Sequence, residues 1–196
     1  MSNKQQLSYI EETSKGYETI PVNSRLLTDR KIFIDEAINT ETLIDFAKQM
    51  MIMADTEEPV SIYINCPGGE VNAGLAMYDI IQSYPGEIKM YCVGMAASMA
   101  AVLLAAGQKG KRFILPHSRV MIHEVLLGGG VGGSATSISK ISESITKTRD
   151  LVNQILADHT GKTLGEINDA TSFDNFMNAD EAVEFGICDT VVTSIF

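Results

Sequence analysis

Ser98 stands in the run Gly94-Met-Ala-Ala-Ser98-Met-Ala-Ala, with an alanine two residues before it and another two after. A nucleophilic serine needs a sharp strand-to-helix turn that exposes Oγ while the neighbouring backbone packs closely. Small residues at those two places permit such a turn, much as glycines do in Gly-x-Ser-x-Gly enzymes. The N–H groups that open the following helix, that of Met99 among them, would then face the space beside Ser98 and could stabilise an oxyanion. The same residues equally suit a structural serine in an alanine-rich helix. A second candidate is Asn65-Cys-Pro-Gly-Gly69, at the end of one strand-like run and before a helical one. Pro67 fixes φ, and the two glycines open conformations that other residues resist. This is either a plain tight turn or a turn that bares the Gly69 N–H as a second oxyanion donor. His123 closes Arg119-Val-Met-Ile-His123, where alternation puts it on one face with Arg119 and Met121, opposite Val120 and Ile122. Of the three histidines, His117 lies in the turn Pro116-His117-Ser118. His159 ends a long helical pattern beside Gly161, where an imidazolium would complement the helix C-terminus. His123 alone sits on an apolar strand running into a glycine loop, the fixed and partly buried setting that a general base needs. A core histidine would fit the same place.

Other chemistries find less support. Gly161-Lys-Thr163 matches the end of a P-loop, but Leu156 stands where the first glycine must be, and the segment follows a helix. No pair of cysteines or histidines has zinc-ligand spacing. With 25 acidic against 15 basic side chains the formal net charge is −10, so neither nucleic acid nor an anionic membrane is an expected partner. Cys66, Cys92 and Cys188 are odd in number, widely spaced and set among apolar residues, which reads as buried free thiols in a reducing compartment. The start, Met1-Ser-Asn-Lys-Gln-Gln, has no apolar core of a secretory signal, and a cytoplasmic location is expected. Met90 to Gly107 is an uncharged run long enough to test as a membrane span. It divides instead into a strand over Ile88 to Val93, a small-residue turn and a buried helix.

Those residues must be positioned by the elements around them. The 196 residues, 45% hydrophobic and 20% charged, suffice for one domain with a substantial core. Strands are expected at Lys31 to Ile34, Val60 to Asn65, Ile88 to Val93, Lys111 to Leu115, Arg119 to His123 and Val191-Val192. Helical spacing recurs over Thr40 to Ala54 and Val71 to Ile81. Strand and helix in alternation imply an α/β domain built from βαβ units. Over Ser134 to His159 the residues Ile138, Ile141, Ile145, Thr148, Val152 and Ile155 step by threes and fours, giving a helix about 39 Å long. One narrow apolar seam on so long a helix suggests packing against another copy or protrusion from the body, or else a surface helix on its own sheet. The stretch Gly128 to Gly133 before it reads as a mobile loop.

Taken in order, these segments resemble the ClpP family, the proteolytic subunits of the ATP-dependent Clp protease. The likeness runs from about Ile10 to Thr193. It is carried by Ser24-Arg-Leu-Leu27, Tyr63-Ile-Asn-Cys-Pro-Gly-Gly69, Ala73-Gly74, Tyr78-Asp79, Ala96-Ala-Ser-Met99, Gly110-Lys-Arg-Phe113, Leu115-Pro116, Ser118-Arg-Val-Met-Ile-His123, His159-Thr-Gly161, Glu181-Ala182 and Phe185-Gly186. The resemblance implies a ClpP/crotonase-type α/β fold of stacked βαβ units with a long protruding handle helix. It also implies a single domain over 1–196, with an axial segment at about 1–20 and the loop and handle at about 124–160. It supplies a triad of Ser98 as nucleophile, His123 as base and Asp174, in Phe173-Asp-Asn-Phe176, as the carboxylate that orients the imidazole. Gly69 and Met99 would give the oxyanion hole. The reaction is then acyl transfer through an acyl-enzyme. Family members stack two seven-membered rings around a chamber, and an AAA+ Clp ATPase feeds them unfolded protein. ATP would belong to that partner, with no cofactor in this chain. Tyr63, Tyr91, Val93, Phe113, Leu115 and Val192 would line the pocket that docks it.

The chain departs from the family pattern at several places. Glu124-Val125 replaces the usual Gln-Pro, the following loop is two residues longer, and Phe173 stands where an arginine commonly helps to lock the rings together. Ser61 and Ser83 replace frequent aromatics. Ring stacking is therefore expected to be weak or conditional. One alternative is a weakly active or structural subunit that needs an active paralogue in a mixed ring. Another is a crotonase-like enzyme acting on acyl-thioesters, a class with no need of a Ser–His pair.

Overall fold

In the computed structural model, which describes residues 7–129 and 132–196, the chain opens with an antiparallel hairpin of β1 (Ser8–Thr13) and β2 (Gly16–Pro21). A short helix, α1 (Val22–Thr28), follows. Sequence patterning does not mark the hairpin because it has no buried face: Ile10 and Tyr17 are both exposed. Alternation reports one-sided burial, and here there is none to report. Of the expected axial segment, residues 1–6 lie outside the described residues, as do Gly130 and Val131 of the glycine-rich loop.

Strand and helix then alternate as anticipated. β3 (Lys31–Ile34), α2 (Thr40–Met53), β4 (Val60–Cys66), α3 (Val71–Ser83), β5 (Ile88–Ala97), α4 (Met99–Ala105) and β6 (Arg112–Ile114) follow one another. β7 (Arg119–Ile122), α5 (Ala135–Thr160), α6 (Leu164–Thr171), β8 (Asn175–Met177), α7 (Ala179–Phe185) and β9 (Thr190–Val191) complete the chain. The sheet runs β3-β4-β5-β6-β9, parallel at every pairing, while β7 adds to β5 in parallel and β8 adds to β7 antiparallel. Local chemistry sets the helix starts. Asn39, Thr163 and Asn178 each close a capping box with the residue three positions on, satisfying N–H groups that would otherwise be orphaned. Gly161, in the left-handed region at φ 78°, stops α5.

The core lies between β3, β4 and β5 and the helices α2, α3 and α4. Ile32, Ile62, Ile64, Met90 and Cys92 point into it from alternate strand positions, and α4 is buried along its whole length. The uncharged run from Met90 to Gly107 is thus a strand end and a seven-residue buried helix. Among the described residues no helix is long and apolar enough to cross a membrane. Cys66, Cys92 and Cys188 are all buried free thiols. Burial raises all three pKa values, that of Cys92 to about 12.

Two features bear on function. β5 extends to Ala97 rather than stopping at Val93, because its register against β4 slips between Ile64↔Cys92 and Cys66↔Ala96. Gly94 takes φ 105° within that irregularity, and Ser118 stitches it by accepting the Gly94 N–H at 2.8 Å and donating to Cys92 O at 3.1 Å. The strand can then leave β6 and continue along β7. The long helix is seated only at its C-terminal end, through Val152, Asn153, Ile155, Leu156 and Ala157. From Ala135 to Leu151 no side chain is buried. The apolar seam of Ile138, Ile141 and Ile145 is therefore left partly uncovered.

Candidate active site

The slipped end of β5 delivers Ser98. Its N–H donates to Met121 O at 2.8 Å, and its backbone sits at φ 55°, ψ −125°. Only one other described non-glycine residue, Arg30, has positive φ. A serine held there costs on the order of 1–3 kcal/mol, which the surrounding structure must impose. Ala96, Ala97 and Ala100 are all buried, so larger side chains would push the elbow apart.

The turn Cys66-Pro67-Gly68-Gly69 presses against this elbow. A methyl group added at Gly68 would meet Ala97 O at 2.6 Å and Ser98 Cβ at 2.7 Å. One added at Gly69, where φ is 152°, would run into the Ile38 carbonyl. The turn is clamped from both sides: Ile38 N–H donates to Gly68 O at 2.8 Å and Glu70 N–H to Ile38 O at 2.8 Å. Among the described residues the Gly69 N–H donates to nothing. The Met99 N–H, first in α4, has no intrahelical acceptor. Gly74 of α3 makes room for the Met99 side chain, whose atoms lie where a Cβ would project.

Sheet register brings the other two residues to the same end. β7 pairs with β8 through Ile122↔Asn175, so one further step sets His123 opposite Asp174. β5 pairs with β7 through Ala97↔Met121, so Ser98 lies level with Ile122, one residue from His123. His123 is half-buried and Asp174 exposed. Nδ1 of His123 is buried without a hydrogen-bond partner, and among the described residues no hydrogen bond joins these three side chains. Register thus leaves the three residues at neighbouring strand ends, with no hydrogen bond among their side chains in the described residues. Directly after His123, a groove of about 300 Å³ runs between Glu124-Val125 and the Ile138, Ile141 and Ile145 seam of α5.

The residues expected to dock a partner gather on the opposite sheet face. Tyr63, Tyr91 and Phe113 are register partners across β4, β5 and β6, and their rings stack at centroid separations of 5.0 Å. Phe33 extends the ladder on β3, 4.9 Å from Tyr63, and remains 46% exposed. The Ile-Phe-Ile alternation of β3 held the signal for Phe33, but only register shows which rings it joins. Val93, Leu115 and Val192 lie half-buried at the strand ends. Tyr63 is the least accessible of the set, at 4%, with its hydroxyl donating to Ile195 O at 3.3 Å. The chain's own C-terminal residues cover it.

His159 differs from its expected role as a helix-terminal cation. Burial foremost, and then the Arg112 charge, hold its pKa below 6.5, against a smaller upward pull from Asp158. The imidazole instead bonds the Tyr78 hydroxyl at 3.1 Å. Arg112, itself buried, accounts for the change: it forks onto Asp189 at 2.6 and 2.9 Å and donates to His159 O at 3.0 Å. Its guanidinium takes the place at the end of α5 that sequence assigned to the imidazole. Among the described residues no cluster of His, Cys, Asp and Glu could hold a metal ion.

A mostly parallel α/β sheet carries a strained serine at a strand-to-helix elbow, a setting in which a serine can act as a nucleophile. Among known families, the Clp protease model matches residues 14–195, and the chain belongs to that family. It is thereby a ClpP-type serine peptidase.

Proposed function

We propose that the chain is the serine endopeptidase subunit of a compartmentalised, ATP-dependent protease that cuts unfolded polypeptides into short peptides. Ser98 Oγ attacks the scissile carbonyl while His123 takes its proton. The tetrahedral oxyanion is held by the Gly69 and Met99 N–H groups, His123 returns the proton to the leaving amine, and water releases the acyl-enzyme. Asp174 orients His123 through Nδ1, the buried atom that now lacks a partner. The observation that carries the reading is the Ser98 elbow: positive φ, close packing by Gly68 and two N–H groups beside it that donate to no described residue.

In the same reading the chain is a single domain working in the cytoplasm. Seven-membered rings pair through the exposed seam of α5, and an AAA+ Clp ATPase docks on the face lined by Tyr63, Tyr91, Val93, Phe113, Leu115 and Val192. That partner hydrolyses the ATP. A second reading is favoured by the unmade His123–Asp174 contact and by Phe173, which is 83% exposed. In it the subunit is weakly active alone and needs an active paralogue in a mixed ring.

A fluorophosphonate probe followed by peptide mapping tests the proposal. One covalent label at Ser98 is expected, and Ser98→Ala should lower peptide hydrolysis by about 10⁴-fold or more. Labelling at a different serine, or full activity of the alanine variant, sinks it. Labelling of Ser98 only after a paralogue is added supports the second reading.

A further inference from the structure

The Gly69 N–H can serve an oxyanion only if the turn that carries it holds still, and that turn contains two glycines, the residues with most backbone freedom to lose. Two of its clamps are backbone bonds, Ile38 N–H to Gly68 O and Glu70 N–H to Ile38 O, each 2.8 Å. Across a trans peptide the C=O and N–H point oppositely. Drawing the Gly68 carbonyl toward Ile38 therefore turns the Gly69 N–H the other way, away from Ile38.

The preceding peptide has a different anchor. Cys66 Sγ accepts the Gly68 N–H at 3.3 Å and donates to Glu36 O at 3.0 Å. The thiol thus ties the turn to the loop between β3 and α2, the loop that also carries Ile38. Pro67 has no N–H, so the first backbone donor after Cys66 in the turn is the Gly68 N–H, and the sulfur accepts it. Cys66 is 0% exposed, which leaves no room for solvent to replace a lost bond. Burial raises the thiol pKa, keeping the proton on sulfur for Glu36. Gly68, held this way, lies so near the elbow that an added Cβ would strike Ala97 O and Ser98 Cβ.

We propose that Cys66 is a positioning residue for the oxyanion hole: through Gly68 N–H and Glu36 O its thiol fixes the glycine turn so that the Gly69 N–H faces the carbonyl attacked by Ser98. The thiol touches no substrate and takes no part in bond making. It acts on the transition state alone, since the oxyanion develops only there. The inference rests on Gly69 being an oxyanion donor, as proposed above.

The test compares Cys66→Ser, Cys66→Ala and Cys66→Val in the full chain, reading kcat and KM on a fluorogenic peptide and Ki for a peptide aldehyde that forms a tetrahedral adduct. Serine keeps both a donor and an acceptor and should stay within about threefold of wild type, while alanine and valine should lose about 10- to 100-fold in kcat with KM unchanged. Ki for the aldehyde should rise by the same factor as kcat falls. Wild-type kcat and Ki in the valine variant would overturn the proposal. So would a serine variant as impaired as alanine, or a rise of KM in step with Ki. If alanine and valine both fail to fold while serine folds, the thiol serves stability and the positioning role is refuted. Fluorophosphonate labelling of the wild type runs alongside. No label at Ser98 refutes the proposed function itself, whereas a labelled Ser98 with indifferent Cys66 variants refutes only the role of the thiol.

Discussion

Gly68→Ala should separate the cost of a strained backbone from the cost of moving the nucleophile. A methyl at this position would lie 2.6 Å from Ala97 O and 2.7 Å from Ser98 Cβ. Comfortable non-bonded contacts begin near 3.5 Å, so turn and elbow must part by about 0.8 Å. Misplacing a reacting group by about 1 Å costs about 10²-fold in rate. The φ of 90° at Gly68 adds about 1–2 kcal/mol of strain for any residue with a Cβ. Overpacking adds about 1–3 kcal/mol more. Gly161→Ala supplies the control, because φ there is 78° and nothing lies within 4 Å of the added carbon. It should lose about 1–2 kcal/mol, or roughly 2–8 °C in Tm for a chain of this size, and keep its peptidase rate. Hydrolysis of a fluorogenic peptide, the rate of fluorophosphonate labelling at Ser98 and thermal melts of both variants make the comparison. If Gly68→Ala hydrolyses and labels as fast as Gly161→Ala, the close approach of turn and elbow does not position Ser98.

Two more expectations follow from groups away from the elbow. The His159 pKa is depressed in the fold, so below about pH 6.5 the unfolded chain binds a proton that the folded chain resists. Stability contributed by the neutral imidazole is complete above that pH and falls as pH drops through it toward the folded value. His159→Gln, which can still bond Tyr78, should flatten the fall in Tm between about pH 7 and pH 5, and an unchanged fall would refute the assignment. In the proposed double ring, Phe173→Arg should raise the stacked fraction, since a guanidinium offers charge-assisted contacts that an exposed phenyl ring cannot. Analytical ultracentrifugation over a dilution series reads this directly. Identical dissociation of the two proteins would mean that position 173 does not govern stacking.

How much of this was legible in the sequence depended on whether a feature is local. β3 and the starts of β4, α2 and α3 fall where alternation and helical spacing place them, because one-sided burial writes its period into consecutive residues. The small residues around Ser98 also showed locally. The extension of β5 to Ala97 did not, since it depends on a register slip against β4 and on Ser118, more than twenty residues away in sequence. The packing of Gly68 against Ser98 joins segments thirty residues apart and leaves no trace in either one's pattern. Asp174 carries no periodic signal at all. Only the family likeness named it; the β7–β8 register ends one pair short of it, at Ile122↔Asn175. His159 was misread because Arg112, which displaces it as the cation at the end of α5, lies forty-seven residues earlier.

The three buried thiols have a practical consequence for spectroscopy. Maleimides and iodoacetamides react with accessible thiolate, and here each sulfur is enclosed and its ionisation pushed upward by burial. A single cysteine introduced on the solvent-facing side of α5, at Lys140 for instance, would then be the one site to take a fluorophore or spin label while the protein is folded. Distances between labels on neighbouring subunits of the proposed ring would become measurable against an unmodified native background. The usual preliminary of stripping native cysteines is unnecessary, and at Cys66 it would remove the sulfur that braces the glycine turn beside Ser98.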